Sequence, residues 1–234
     1  MKQRHIAILA TLSFCLFACV NQNPAANTGL AKTSEETPRL FTDHSAADQD
    51  DFKKCGIDRD EYYRLMTLPV EDFDQDFEGG WRTLDYKQGC KGAAARLLKS
   101  YIAEYEYTYE RQHNQLEWHR GQVLASSGNY DEALAVFKRT YKDGDDEKAW
   151  NLYVDGTIAF LKKDKPALQA ARDKLAKVPV PEKLKDARRK FLKDNPNITM
   201  RDGFIDDPGN LYVLEGFIKC FHESYAVAYG KCEK

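Results

Sequence analysis

The chain has 234 residues, of which 35 are basic and 37 acidic, so the formal net charge is only −2. That balance argues against the large electrostatic field of a protein that binds nucleic acid or anionic lipid through charge alone. Aromatic residues make up 12% of the chain and many are tyrosine, which suits surfaces that are partly packed and partly wet.

The first 19 residues have the pattern of an export segment. A short basic stretch ends at His5, and residues 6–17 form an apolar run of about a dozen residues, which is too short to span a bilayer comfortably. Small Ala18 then precedes Cys19. The last four residues, Leu16-Phe17-Ala18-Cys19, resemble a bacterial lipoprotein signal.

That resemblance implies that Cys19 receives the lipid and becomes the mature N-terminus. Because Val20 and Asn21 follow rather than Asp, family behaviour implies transport to the outer membrane, with the protein facing the periplasm. Cys15 is a weaker lipidation candidate, since bulky Phe14 precedes it. The alternative is an ordinary secreted protein with a coincidental cysteine.

Residues 20–46 have the composition of a flexible tether, with few bulky apolar side chains and no sustained period. The remainder, residues 47–234, is long enough for one domain with a real core. We therefore predict a single domain there.

Four cysteines remain beyond the N-terminal segment, and an even set in an exported chain predicts two disulfides. Three pairings are possible. A continuous final helix from Leu211 to Tyr229 would place Cys220 about 13 Å before its end, at 1.5 Å per residue, which disfavours a bridge between Cys220 and Cys232. The predicted bridges therefore join Cys55 and Cys90, in the N-terminal helices, to the final helix. With no Cys-x-x-Cys pair and scattered histidines, no metal site or other cofactor is predicted.

The N-terminal part of the domain predicts short helices around a glycine turn. A helix is predicted from Asp58 to Met66, and Phe73 and Phe77, four residues apart, predict another turn or two. The acidic residues beside them lack the glycine and glutamate of a calcium loop, so they are predicted to form a solvated face. Residues 79–82, Gly-Gly-Trp-Arg, predict a tight turn, the alternative being close approach to a ligand. A long, centrally placed helix follows Cys90, with Leu98, Ile102, Tyr105 and Tyr109 on one stripe.

Residues 115–178 predict two consecutive helix pairs. Apolar residues recur at helical spacing, and the first pair is divided by Gly128 and the second by Asp164 with Pro166. With an offset of 35 residues, Gly121 aligns with Gly156. A mid-helix glycine costs about 1 kcal/mol relative to alanine, so both positions predict close approach of the paired helices.

This stretch resembles a tetratricopeptide repeat. The residues that carry the resemblance lie in the first pair, and the second pair is degenerate, with Leu168 and Arg172 at positions where the family has a small residue and an aromatic one. The matching residues are Gly121, Leu124, Gly128, Tyr130, Ala133 and Phe137. The resemblance implies an all-α fold of right-handed, stacked antiparallel helix pairs, with flanking N- and C-terminal helices.

Beyond the repeats, a helix from Glu182 to Lys193 is predicted, with a basic outer face. That face lacks the interleaved aromatic residues of a nucleic-acid site, so a solvated surface is the preferred interpretation. The final helix is predicted to cap the stack.

The sequence favours binding over catalysis, because no recognised catalytic motif is present. A helical stack offers a concave face for a protein or peptide partner. The candidate binding residues on that face are Trp118, Arg120, Trp150, Asn151 and Tyr153.

Two other classes of function stay open. One is a small-molecule-binding or hydrolytic envelope enzyme, with a site near Gly79–Arg82 and including Glu117, His119 and His222. Glu117 and His119 are predicted not to converge, because they lie two residues apart on one helix, so a surface pair beside a packed tryptophan is the preferred interpretation. The other class is a purely structural envelope lipoprotein.

Overall fold

The computed structural model describes residues 40–104, 110–144, 148–230 and 232. Every regular element in these residues is helical, which confirms the prediction of an all-α fold. The export segment with Cys19, most of the tether, and Tyr105 and Tyr109 of the long helix lie outside the described residues.

The described chain divides into two compact units. The first, here the N-terminal unit, runs to Tyr141 and includes Ser224–Ala226. Its helices are α1 (Ala46–Lys54), α2 (Arg59–Met66), α3 (Arg82–Asp85), α4 (Lys91–Glu104), α5 (Glu110–Ser126) and α6 (Tyr130–Phe137), with 3-10 turns at Phe41–Asp43 and Lys138–Thr140 and a π-helical segment at Glu71–Gln75.

The second, here the C-terminal unit, holds Lys142–Glu223 and the residues from Val227 onward. Its helices are α7 (Lys148–Leu161), α8 (Lys165–Leu175), α9 (Glu182–Asp194) and α10 (Leu211–Lys219), and the division between the units falls within α11 (Tyr225–Gly230). Within the two units, α5 packs against α6 and α7 against α8, so both predicted helix pairs form. Their right-handed stacking stays a prediction.

Local side-chain chemistry sets several helix boundaries as the sequence predicts. The Asp58 carboxylate accepts a hydrogen bond from the Glu61 backbone N–H at 2.9 Å and begins α2. Asp164 accepts from the Ala167 N–H at 3.0 Å and begins α8, with Pro166 in the first turn. Gly128, at φ +84°, supplies the left-handed residue between α5 and α6.

The folded part of the chain begins earlier than the predicted tether boundary at residue 46. Phe41 is buried against Phe52 and Tyr62, with ring centroids 6.1 and 5.5 Å apart. The Nε2 atom of His44 lies 2.9 Å from the Tyr62 hydroxyl. Phe41 thus joins the end of the polar segment to the core. Because a single aromatic residue produces no periodic pattern, the sequence did not reveal this start of the folded region.

The two mid-helix glycines permit close packing, although not against equivalent partners. A Cβ on Gly121 would lie 2.5 Å from a ring carbon of Phe137, on the paired helix α6. A Cβ on Gly156 would lie 2.5 Å from Leu214, which belongs to α10 rather than to the paired helix α8. The predicted close approach is therefore confirmed for α5 with α6, and for α7 it involves a different helix.

The disulfides pair locally, which makes the predicted long-range pairing wrong. Cys55 bonds to Cys90 and Cys220 to Cys232, with Cα–Cα distances of 5.7 and 5.9 Å. The prediction failed because the final helix is not continuous. α10 ends at Lys219, and a turn before α11 reverses the chain so that Cys232 returns to Cys220.

Lysine 163 stabilises that turn from outside it. Its Nζ atom donates hydrogen bonds to the backbone carbonyl oxygens of Phe221 and Glu223, both at 2.8 Å. These carbonyls lie beyond the end of α10, where no further helical turn satisfies them. A lysine about 60 residues upstream thus helps to end the helix, which the local sequence does not reveal.

We expect Gly121→Ala to lower the free energy of unfolding by about 1–2 kcal/mol, because overpacking against the buried Phe137 ring outweighs the gain in helix propensity. Urea denaturation measures the change. Gly92→Ala in α4 is the matched control, because the nearest atom to its added Cβ is the end of the Arg96 side chain at 3.5 Å. Equal stability changes in the two variants would contradict the close packing of α5 on α6.

Candidate functional site

A buried carboxylate organises the most polar part of the N-terminal unit. Asp74 is only 2% exposed. Its Oδ1 atom accepts a hydrogen bond from the Trp81 indole at 2.8 Å and lies 2.7 Å from Nδ1 of His119. Gln75 donates its side-chain amide to Oδ2 at 2.5 Å. We call Asp74, Trp81, Arg82 and His119 the Asp74 cluster.

Arg82 closes the cluster on one side. Its Nη1 atom donates to the backbone carbonyl of Asp74 and lies 3.9 Å from the Asp74 carboxylate. The guanidinium is 4.3 Å from the Trp81 ring and 5.5 Å from the Phe77 ring. An arginine close to aromatic rings retains its charge while it contacts their apolar surface. The cation is therefore fixed beside the buried carboxylate.

The glycine turn brings these residues together. Gly80 has φ +51°, and a Cβ there would lie 1.9 Å from the Phe73 carbonyl oxygen. Because glycine lacks that atom, the backbone doubles back and the Trp81 N–H donates to the same carbonyl at 3.3 Å. The predicted tight turn is confirmed, and it aims the Trp81 indole back at Asp74.

The acidic stretch before the turn was predicted to form a solvated face, and this is wrong for one of its residues. Glu71, Asp72, Asp76 and Glu78 are exposed, whereas Asp74 is buried. The companion prediction for the aromatic pair is half right: Phe73 stacks on Tyr101 with ring centroids 3.7 Å apart, while Phe77 is 44% exposed. The π-helical segment ends at Gln75 and Asp76 is extended, so Phe77 lies beyond the helix and does not share a face with Phe73.

The pKa of Asp74 lies below its ordinary value of 3.8. Burial acts in the opposite direction, since it disfavours the charged carboxylate. The positive charge and hydrogen bond of His119, the charge of Arg82 and the Trp81 hydrogen bond outweigh burial. Asp74 is thus held as a carboxylate.

A second network of charged side chains involves α5, with Glu117 and Arg120 buried. The Nη2 atom of Arg139 is 3.1 Å from both oxygens of the Glu117 carboxylate. The same carboxylate lies 3.6 Å from Nη1 of Arg120. Arg120 also donates to Glu132 on α6. Two acids therefore meet two arginines, which joins α5 to α6 and to the following 3-10 turn.

Glu117 and His119 do not form the surface pair that was predicted. They are 6% and 8% exposed and belong to the two different networks. The expectation that they do not converge is confirmed, because a two-residue step along a helix separates their directions. The expectation of exposure is wrong, because α5 is covered on more than one side. His222, in the C-terminal unit, is exposed.

The five predicted partner-binding residues serve contacts within the protein. Trp118, Arg120 and Tyr153 are buried, and the Trp118 ring lies 4.5 Å from that of Phe137. Asn151 exchanges two hydrogen bonds with the backbone of Lys142, at 3.0 and 2.8 Å. Half-buried Trp150 lies under the Lys142 ammonium group at 4.7 Å. Three of the five side chains are therefore covered within their own unit.

The Asp74 cluster has the chemistry of a fixed imidazole. A carboxylate on Nδ1 sets the orientation of the ring, which in enzymes prepares the other nitrogen for proton transfer. The same pair also fastens the segment of residues 69–82 to α5. Among the residues that the structure describes, no group of three or more His, Cys, Asp and Glu side chains is arranged to hold a metal ion.

Comparison with known proteins places the chain in no family. No family model, no curated protein and no solved structure matches it. In the described ranges, no helix combines the length and the apolar character needed to cross a membrane.

We expect Asp74→Asn to lower the free energy of unfolding at pH 7 by roughly 3 kcal/mol, because His119 and Arg82 lose the buried charge that they face. Since folding lowers the pKa of Asp74, the contribution of its charge is complete above pH 3.8 and is lost as the pH falls through the lower folded-state pKa. The difference between variant and wild type should therefore shrink in acid.

Urea denaturation between pH 7 and pH 2 measures this dependence. Asp72→Asn is the matched control, because Asp72 is exposed and lies in the same segment. If both variants lost the same stability at pH 7, the Asp74 cluster would not be a stabilising element.

Proposed function

We propose that the protein is a lipid-anchored protein of the bacterial cell envelope that binds a protein or peptide partner. The disulfides are the observation that carries the envelope assignment. All four cysteines beyond Cys19 form bridges, and such bridges persist in oxidising compartments outside the cytoplasm. This agrees with the export segment and its lipoprotein-like ending at Cys19.

The binding role rests on the two helix pairs and on the resemblance of residues 115–178 to tetratricopeptide repeats. Antiparallel helix pairs present long grooves between neighbouring helices, and such grooves accept extended peptides or partner helices. Because Trp118, Arg120 and Tyr153 are engaged within the fold, the proposal does not depend on these side chains. It requires another exposed groove.

Lipidation at Cys19 is tested by labelling bacterial cells that express the protein with an alkyne fatty acid. We expect the wild-type protein to be labelled and recovered with membranes, and Cys19→Ala to lose both the label and the membrane association. Cys15→Ala is the control, and it should behave as wild type. Undiminished labelling of Cys19→Ala would remove the lipid anchor from the proposal.

Partner binding is tested by crosslinking the tagged, lipidated protein in membranes of the native cells. We expect one envelope partner in stoichiometric amount, because a folded binding groove selects one surface over others. The Cys19→Ala chain, which does not reach the membrane surface, controls for capture after lysis. An empty capture from correctly anchored protein would contradict a partner-binding role.

An envelope enzyme is the second candidate function. The observation that favours it is the convergence of Arg82 and His119 on Asp74, since both the Gly79–Arg82 turn and His119 were candidates for such a site. Glu117 belongs to the separate network on α5. A hydrolytic role would require substrate to reach the Nε2 atom of His119, whose residue is 8% exposed.

A further inference from the structure

The Cys220–Cys232 bridge closes a loop whose middle belongs to the N-terminal unit. Both cysteines belong to the C-terminal unit, and their Cα atoms lie 5.9 Å apart. Of the residues between them, Ser224–Ala226 are part of the N-terminal unit. We call Ser224–Ala226 the C-terminal strap.

Tyr225 anchors the C-terminal strap within the N-terminal unit. Its side chain is fully buried, and its ring lies 6.5 Å from the ring of Phe137. Its backbone N–H donates a hydrogen bond to the Tyr130 hydroxyl at 3.1 Å. Because Tyr130 and Phe137 both belong to α6, Tyr225 covers part of the surface of that helix.

The short helix α11 depends on its surroundings. It has only six residues, Tyr225–Gly230, and isolated helices shorter than about 12–15 residues are marginal in water. Within the C-terminal unit, the ring of Tyr229 lies 6.3 Å from that of Phe217. Cys232 then fastens the chain beyond α11 to Cys220, which lies just beyond the end of α10. The bridge is therefore the covalent part of what holds α11 in place.

The turn before the C-terminal strap is held independently of the bridge. Lys163 donates hydrogen bonds to the carbonyl oxygens of Phe221 and Glu223, and its Nζ atom lies 4.2 Å from the ring of Phe160. None of these contacts involves a sulfur atom. Loss of the bridge should therefore act on the chain after Glu223 and leave α10 unchanged.

The two bridges differ in their access to solvent. Cys55 and Cys90 are each 6% exposed, whereas Cys220 and Cys232 are both half-buried. Thiol–disulfide exchange requires a thiolate to reach a sulfur atom of the bridge, so its rate depends on access. A reductant in solution therefore reaches the Cys220–Cys232 bridge first.

We propose that the Cys220–Cys232 bridge is a redox-sensitive clasp that holds the C-terminal strap on α6. Its reduction releases the strap and uncovers the surface of α6 that Tyr225 covers. This inference goes beyond the proposed function and does not depend on a partner, so an empty crosslinking experiment leaves it standing.

The reductant is a dithiol, such as the cysteine pair of a thiol–disulfide oxidoreductase. One of its thiolates attacks a sulfur atom of the bridge, forms a mixed disulfide and displaces the other cysteine as a thiolate. The second thiolate of the dithiol then displaces the first cysteine. The dithiol is thereby oxidised to a disulfide, and its two electrons and two protons end on Cys220 and Cys232 as two thiols.

The first test is reduction of the folded, full-length protein with dithiothreitol. Free thiols are alkylated with iodoacetamide after each interval and are located by mass spectrometry of the peptides. We expect Cys220 and Cys232 to be alkylated at least about tenfold faster than Cys55 and Cys90, because access controls the exchange. Equal rates at the two bridges would overturn the inference.

Amide hydrogen exchange then measures the release of the strap. Under conditions that reduce only the Cys220–Cys232 bridge, we expect the amides of residues 225–230 to exchange about tenfold faster or more, while those of α4 and α10 keep their rates. Unchanged exchange at residues 225–230 would overturn the inference, because the strap would stay in place without the bridge. Equal acceleration throughout the chain would also overturn it, because the bridge would then stabilise the whole fold.

A variant that combines Cys220→Ser and Cys232→Ser removes the bridge without a reductant. It should show the fast exchange of residues 225–230, with no further change there when dithiothreitol is added. Lys219→Ser is the matched control, because Lys219 is exposed beside Cys220 and the bridge stays intact. Wild-type exchange in the double variant would contradict the clasp. The reduction of the wild-type protein decides the question if the double variant does not fold.

Discussion

The N-terminal unit depends on one buried charge. Removing the Asp74 carboxylate from water costs several kcal/mol unless its charge and lone pairs are satisfied. Trp81, Gln75 and His119 meet its oxygens, and Arg82 supplies a second positive charge. Trp81 comes from the glycine turn, Gln75 from the same π-helical segment as Asp74, and His119 from α5. Their geometry therefore fixes the segment of residues 69–82 against the core.

The sequence predicts features that are encoded locally. The short helix that begins near Asp58, the cap at Asp164, the helix-ending Gly128 and the two helix pairs each follow from residues within a few positions of one another, and the structure confirms them. The Asp74 cluster joins residues 45 positions apart, and no pattern in the chain distinguishes Asp74 from the exposed acids beside it. A better indication was the glycine pair before Trp81, which brings an indole donor back towards the preceding turn.

The disulfide pairing was predicted wrongly because the final helix was predicted to be continuous. The assumed continuous helix made a short-range bridge at Cys220 sterically unfavourable, so the long-range pairings appeared better. The actual break after Lys219, with Lys163 bound to the carbonyls beyond it, removes that obstacle. The bridges close loops of 35 and 12 residues. On a chain-entropy model, the longer loop stabilises by about 1 kcal/mol more, so the Cys55–Cys90 bridge is the more valuable constraint.

The arginines of the two units find their partners in different ways. In the N-terminal unit buried Arg120 and exposed Arg139 are matched by Glu117 and Glu132, and Arg82 by Asp74. In the C-terminal unit Arg188 is held by backbone carbonyls, which solvate the guanidinium without cancelling its charge. The nearby Asp206 and Asp207 carboxylates oppose the lowering of the Arg188 pKa by burial. A buried arginine therefore fixes the segment that precedes α10 through main-chain oxygens, whereas the arginines of the N-terminal unit join helices through acid side chains.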